Sequence, residues 1–173
     1  MKTFFIFLTF LTLFTGCSKK NAFYKFKMDK DQELSASSLQ STKIVSKDGE
    51  VKGVFSTIYL NEVYPETFNQ EESFFIFFFS KEKKELYDQS KSTDTDLKVM
   101  LNSKLPIKIE ELSQENKFSH LVDIKNDWNR YYIVTFEKAD TINLVFEDAN
   151  ASSGVLKYKN EILLKSSKKR TKR

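Results

Sequence analysis

Cysteine is almost missing from this chain: Cys17 is the only one in 173 residues, so the protein has no second thiol with which to close an internal disulfide and must stand on a hydrophobic core. The single histidine, His120, excludes zinc or copper centres built from histidine clusters. Its neighbours Ser119 and Asp123 do not make a catalytic triad, because residues adjacent in a chain rarely face one another and nothing here marks a nucleophile turn. Beyond residue 20 the only glycines are Gly49, Gly53 and Gly154, too few for a phosphate-cradling loop or a dinucleotide fingerprint. Asp94 and Asp96 open like a calcium loop, but the required glycine and closing glutamate do not follow. No catalytic residue and no metal ligand is assigned on these grounds.

Charge is present in both signs but unevenly spread. The formal net charge is +4, from 28 basic and 24 acidic residues. Residues 18–30 hold five lysines against Asp29 alone, and residues 165–173 hold six basic residues and no acid. Setting these and Lys2 aside leaves 16 basic and 23 acidic residues in 31–164, a body of about −7 with positive ends. A nucleic-acid face needs lysine and arginine clustered on the folded body, so nucleic acid is not an expected partner. The basic tail reads either as a solvated, disordered terminus or as a contact for anionic lipid, where each charge near the surface contributes about 1 kcal/mol.

What the N-terminus does contain is Met1-Lys2 followed by an apolar run from Thr3 to Thr15, thirteen residues of mostly Phe, Leu, Ile and Thr. A membrane-crossing helix needs about 20 apolar residues, whereas a short charged region followed by a short apolar core is the layout of a secretory signal. Thr15 and Gly16 supply small residues directly before Cys17. Here the sequence resembles the bacterial lipoprotein signal, whose lipobox ends in a small pair and an invariant cysteine, although Phe14 stands where leucine is usual. The resemblance covers only about residues 1–20. It implies diacylglyceryl transfer to the Cys17 sulfur, cleavage between Gly16 and Cys17, and acylation of the new N-terminus, with no other cofactor. Two or three acyl chains, each buried methylene adding about 0.8 kcal/mol, hold a protein to a membrane almost permanently. In the sorting pattern of enteric lipoproteins, Ser18 rather than Asp after the cysteine implies passage to the outer membrane, facing the periplasm, with the outer face of the cytoplasmic membrane as the alternative.

Cleavage would leave 157 residues holding twelve of the seventeen phenylalanines, enough for one domain. The text beyond residue 31 reads as strands. "LQSTKIVS" and "EVKGVFSTIYL" flank Lys47-Asp48-Gly49-Glu50, a strong hairpin signal, with Lys47 and Glu50 expected to face each other and Pro65 to end the second strand. "ESFFIFFFS", "DLKVML", "LPIKIEEL", "RYYIVTFE", "TINLVFE" and "GVLKY" follow, several with the period-two alternation of half-buried antiparallel strands. "KEKKELYDQS" and "LSQENKFSHLV" are candidates for a helical turn or two. The expected fold is all-β: an immunoglobulin-like antiparallel β-sandwich with few short helical turns, preceded by a signal helix, with a small β-barrel as the alternative. The expected organisation is a signal peptide at 1–16, lipidated Cys17 and a basic tether at 17–31, the sandwich at 32–164 and a basic disordered tail at 165–173.

Two stretches are candidate binding surfaces. Phe74 to Phe79 is apolar on both faces, so one face, with Phe75, Phe77 and Phe79, needs a cover beyond the sandwich core. Either a loop or short helix from 81–93 roofs it, or it is an exposed patch for lipid, a partner or a second copy, with Glu71, Glu72, Lys81, Glu82, Lys83 and Lys84 as charged gatekeepers. "NDWNRYY" gathers Trp128, Arg130 and Tyr131 with Asn126 and Asn129 where a strand begins, either to stack and hydrogen-bond a sugar or peptide or as aromatic core. The role expected is non-enzymatic: a binding or assembly module for an envelope protein partner. The alternatives are a carrier of lipid or another apolar ligand, and an envelope hydrolase with carboxylates paired only in space.

Overall fold

The computed structural model describes residues 29–82, 84–91, 97–122 and 128–159. The signal, Cys17, most of the tether, the basic tail, Lys83, Asp94, Asp96, Asp123 and Asn126 lie outside the described residues. The fold is antiparallel β with little helix. Helix α1 (Lys30–Ser38) precedes β1 (Gln40–Ser46) and β2 (Val51–Tyr59); a one-turn α2 (Leu60–Val63) leads to β3 (Glu72–Ser80); then come β4 (Lys98–Leu101), β5 (Lys108–Leu112), a 3-10 turn (Ser119–Leu121), β6 (Arg130–Phe136), β7 (Ile142–Glu147), β8 (Ala151–Ser153) and β9 (Leu156–Tyr158).

Hydrogen bonding joins all nine strands into one sheet in the order β4, β7, β8, β1, β2, β3, β6, β5, with β9 also on β7. The sheet curls on itself as a half-barrel, so of the two expected all-β architectures the barrel describes it and two separate sheets do not. Two irregularities accompany the curl. The β1/β2 register shifts between Ile44 and Val45, a bulge that strengthens local twist. Opposite β1, the strand formed by β8 and β9 is interrupted at Gly154, and side chains of β1 bridge the break: Gln40 Nε2 donates to the Lys157 carbonyl at 2.7 Å and Thr42 Oγ1 accepts from Gly154 N–H at 3.2 Å. Gly53 is needed for close strand packing, since a Cβ there would lie 2.6 Å from the Phe79 carbonyl oxygen.

Alternation along the strands builds two cores. The concave face carries Phe55, Phe74, Ile76, Phe78, Tyr132, Val134, Leu144 and Phe146, all buried. Leu86, from the segment after β3, is buried among them. The convex face carries Ile58, Phe75, Phe77, Tyr131 and Ile133. β3 runs between β2 and β6, and each of its faces lies in a different core, which explains an uninterrupted phenylalanine run.

The roof over the convex face is not the expected 81–93 segment, which serves the concave core through Leu86. It is made by Leu34 of α1, Leu60 and Val63 of α2, Phe68, Phe118 and Leu121. α1 carries no apolar stripe, so periodicity does not reveal it. It is instead held by a capping box, Asp29 Oδ1 accepting from Gln32 N–H and Gln32 Oε1 from Asp29 N–H. Buried serines dock it: Ser35 Oγ donates to the Leu121 carbonyl at 3.0 Å, and Ser38 Oγ accepts from Tyr59 N–H at 3.1 Å. A fully buried phenylalanine contributes about 1.5–3 kcal/mol over an exposed one, so Phe75 and Phe77 hold this roof down more than helix propensity does.

Three local expectations are corrected. β2 ends at Tyr59, where the chain turns into α2, and Pro65 follows that helical turn. At the first hairpin Gly49 takes φ +86°, as its turn requires, but Glu50 pairs with Lys52 at 2.7 Å and Lys81 at 2.9 Å rather than with Lys47. "KEKKELYDQS" forms no helix among its described residues, while "LSQENKFSHLV" supplies the 3-10 turn.

Candidate functional site

Strand alternation separates the residues that the sequence grouped. In "NDWNRYY", Tyr131 points into the convex core, stacked on Phe75 with ring centroids 6.1 Å apart. Arg130 points the other way, its Nη1 3.7 Å from Glu85 Oε1. Trp128 lies ahead of the strand and is 76% exposed. The aromatic-core reading therefore holds for Tyr131 and not for Trp128. The phenylalanine face divides likewise: Phe75 and Phe77 are roofed, and Phe79, past the edge of the roof, is 39% exposed.

Phe79 has company that the sequence did not reveal. Its cross-strand neighbour on β2 is Val54, also 39% exposed. Val54 in turn faces Lys43 of β1. Lys81 N–H donates to the Lys52 carbonyl, which sets these two lysines side by side just beyond the apolar pair. The β3/β6 register ends at the Phe78 and Arg130 pair, so Phe79 has no partner on β6. The uncovered convex corner thus sets Val54 and Phe79 beside Lys43 and Lys81, while Lys52 also lines the cleft between the first hairpin and the end of β3. Among the described residues Glu50 bridges Lys52 and Lys81, and Asp48 and Glu82 also lie close enough to act on Lys52.

A cleft of about 450 Å³ opens where the first hairpin, the end of β3 and the β7–β8 loop meet. Its floor is apolar, from Ile44, Leu97 and Ala151, and its rim carries Lys47, Lys84 and Asp148. Asp148 is held by Asn150 N–H at 2.8 Å, Ala151 N–H at 2.7 Å and Lys84 Nζ at 3.1 Å. Burial alone would raise the Asp148 carboxyl, but these donors outweigh it and keep the group ionised below the usual carboxylate range. A polar rim over an apolar floor suits a small amphipathic ligand. The signal for it is split between two hairpin turns about 100 residues apart, and only the first was legible as a turn.

Glu72, expected among solvent-facing gatekeepers, is fully buried at the start of β3. Its Oε2 accepts from the Tyr59 hydroxyl and from Asn61 Nδ2 at 3.3 Å; its Oε1 accepts from Ala139 N–H at 3.1 Å and lies 3.3 Å from Lys138 Nζ. Burial, then the Glu72 bond, push the Tyr59 phenol well above its ordinary value. The carboxylate is closed off from solvent and ties β2, α2, β3 and the loop after β6 together, which makes it a structural lock. His120 is exposed and bonds Tyr64 Oη at 2.8 Å, while Ser119 Oγ donates to the Gln114 carbonyl at 3.0 Å and so serves its own loop. Among the described residues no group of three or more His, Cys, Asp or Glu is placed to hold a metal, and no helix is long and apolar enough to cross a membrane. Comparison with protein-family models, curated proteins and solved structures finds no match to this chain.

Proposed function

We propose that the chain is a lipid-anchored lipoprotein of a bacterial envelope, whose half-barrel domain acts as a non-enzymatic binding or assembly module. The observation that carries this reading is the thirteen-residue apolar run closed by Thr15, Gly16 and Cys17, which puts the only thiol of the chain at the one place where lipidation needs it. The outer membrane facing the periplasm is the preferred location and the outer face of the cytoplasmic membrane the alternative. The concave face is filled by its own aromatic side chains and Phe75 and Phe77 are roofed, which favours binding at the surface over carriage of an apolar ligand inside. The 450 Å³ cleft and the uncovered corner are the surfaces available to a partner.

The test is expression of the tagged chain in a bacterium fed an alkyne-bearing fatty acid, with membrane fractionation and in-cell crosslinking. The wild type is expected to take up the label and sediment with membranes, and Cys17→Ala to stay unlabelled and uncleaved. A wild-type protein that takes up no label, or a Cys17→Ala protein processed at Gly16 like the wild type, refutes the anchor.

A further inference from the structure

The turn between β7 and β8 carries a motif that the fold leaves unused. Of the ten asparagines in the chain, only Asn150 is followed two places on by Ser or Thr, in Asn150-Ala151-Ser152. Asn-x-Ser/Thr with no proline between is the acceptor for glycan transfer to asparagine, a modification of surface segments in exported proteins. Asp148, two places before the asparagine, lengthens the stretch to Asp-Ala-Asn-Ala-Ser, the acidic form of acceptor that bacterial oligosaccharyltransferases take.

A short motif counts only where its reacting side chains are accessible and uncommitted. Ala151 opens β8 and is buried in the concave core. Period-two alternation then turns Ser152 outward, and both Ser152 and Asn150, at the end of the turn, are exposed. Among the described residues the Asn150 carboxamide and the Ser152 hydroxyl make no hydrogen bond. The next serine contrasts with them: Ser153 Oγ accepts from Phe146 N–H at 2.9 Å and donates to the Gly154 carbonyl at 2.8 Å. The backbone of the motif is nevertheless held. Asp148 Oδ1 accepts from the N–H groups of Asn150 and Ala151, and Lys47 N–H donates to the Asn150 carbonyl at 3.1 Å. The carboxamide is thus presented at the rim of the cleft, which Asn150 lines. Lys84, which pairs with Asp148 at 3.1 Å, is itself 32% exposed, so a basic group of an enzyme can take its place by exchanging one ion pair for another.

We propose that Asn150 is a site of N-linked glycosylation, its Nδ2 receiving an oligosaccharide from a polyprenyl pyrophosphate carrier through a transferase of the host. A bond forms between Nδ2 and the anomeric carbon of the oligosaccharide. The bond from that carbon to the pyrophosphate oxygen breaks, the carrier leaves with its electron pair, and one amide proton passes to the transferase. A carboxamide nitrogen shares its lone pair with its own carbonyl and is a weak nucleophile, so it reacts only when an enzyme holds it together with the hydroxyl two residues on. That is why the uncommitted Ser152 hydroxyl matters as much as Asn150. The proposal rests on the exported reading above, because transferase and carrier work on the far side of the cytoplasmic membrane, but its readout is separate from that of the anchor. The product is a bulky, solvated group on the rim of the cleft.

The experiment expresses the full tagged chain in a bacterium that holds an oligosaccharyltransferase and its polyprenyl-pyrophosphate-linked oligosaccharide, and in the same strain without the transferase, both fed the alkyne-bearing fatty acid. Intact-mass and glycopeptide spectra of the wild type are expected to show one added oligosaccharide, on Asn150, that is absent without the transferase. Asn150→Gln and Ser152→Ala are expected to lose it, and Ser152→Thr and Ser153→Ala to keep it. Asp148→Asn, which leaves an oxygen for the two loop N–H groups and removes the charge, is expected to lower the occupied fraction. Circular dichroism melts of Asn150→Gln and Ser152→Ala are expected to match the wild type, so the loss reports the acceptor and not unfolding. A wild type that takes up the fatty acid but no oligosaccharide overturns the site and leaves the anchor standing. An oligosaccharide that persists in Asn150→Gln or Ser152→Ala also overturns the site. If the chain takes up neither label, the anchor fails, and the purified full chain mixed with the transferase and the lipid-linked oligosaccharide decides the site: transfer to Asn150 of the folded chain upholds it, and transfer to none, or only after unfolding in urea, overturns it.

Discussion

Replacing Glu72 by Gln keeps the shape of a fully buried side chain and removes its charge. Two donors reach each oxygen in the wild type: Tyr59 Oη and Asn61 Nδ2 on one, Ala139 N–H and Lys138 Nζ on the other. A glutamine amide offers one oxygen and one NH2, so whichever way it turns, a donor faces donors. Tyr59 can rotate its hydroxyl and accept, but one N–H of Asn61, whose amide keeps its bond to the Glu71 carbonyl at 2.7 Å, or the Ala139 N–H on the other side, loses its carboxylate acceptor. A stranded buried donor costs about 1–3 kcal/mol, and bonds to a charged group are stronger than neutral ones by about 1 kcal/mol. The Lys138 pair adds little, because its side chain is 40% exposed and solvent screens it. The expected loss for Glu72→Gln is about 2–4 kcal/mol, a large share of a total stability of about 5–15 kcal/mol. That corresponds to a fall in Tm of about 5–15 °C for a domain of this size. Urea titration of both proteins measures it, with a double-mutant cycle against Tyr59→Phe to isolate the shared bond. A Glu72→Gln protein within about 0.5 kcal/mol of wild type, or a Tyr59→Phe cost unchanged in the Glu72→Gln background, would refute the reading of this cluster as a lock.

Two further outcomes follow from the same interior. Phe75 is buried under the roof and Phe79 lies past it, so in urea titration Phe75→Ala is expected to cost about 3–5 kcal/mol and Phe79→Ala under about 1.5 kcal/mol; equal losses would contradict the placement of the roof. Burial raises the phenols of Tyr59, Tyr132 and Tyr158 above their ordinary value. A group whose folded pKa is raised contributes stability that is whole below its unfolded pKa, here about 10, and is lost as pH climbs from there toward the folded value. Stability followed by circular dichroism is expected to hold to about pH 10 and fall above it, and Tyr158→Phe is expected to make that fall shallower.

The strands were legible because period-two alternation depends on immediate neighbours and needs no knowledge of the rest of the fold. β3 was read from Glu72 to Ser80, the bounds it has, and β6 and β7 within one residue. β8 was missed because three residues carry too little pattern. α1 was missed for a different reason: its contact with the domain runs through Leu34 and two buried serines, so no hydrophobic stripe announces it. The Asp29 to Gln32 capping box was the one local sign. The doubly apolar β3 said that a roof must exist; its donor was undecidable from the chain, since Phe68, Phe118 and Leu121 reach it from elements far apart in sequence. Glu72 was misread because a carboxylate beside a strand looks like a gatekeeper until Tyr59, Asn61 and Ala139 are seen to converge on it.

By itself the sequence determined the class of fold, the span of its longer strands, the need for two covered faces on β3, and the anchoring expectation at Cys17. These depend on composition, alternation and the order of residues along a short stretch, all of which are local. The tertiary structure decided that the strands join into one curled sheet, that the cover comes from α1, α2 and the 118–121 segment, that Phe79 remains outside it beside Val54, and that Trp128 is exposed ahead of β6. Those outcomes turn on which strand lies beside which, a pairing set by burial energy summed over the whole sheet rather than by any segment alone.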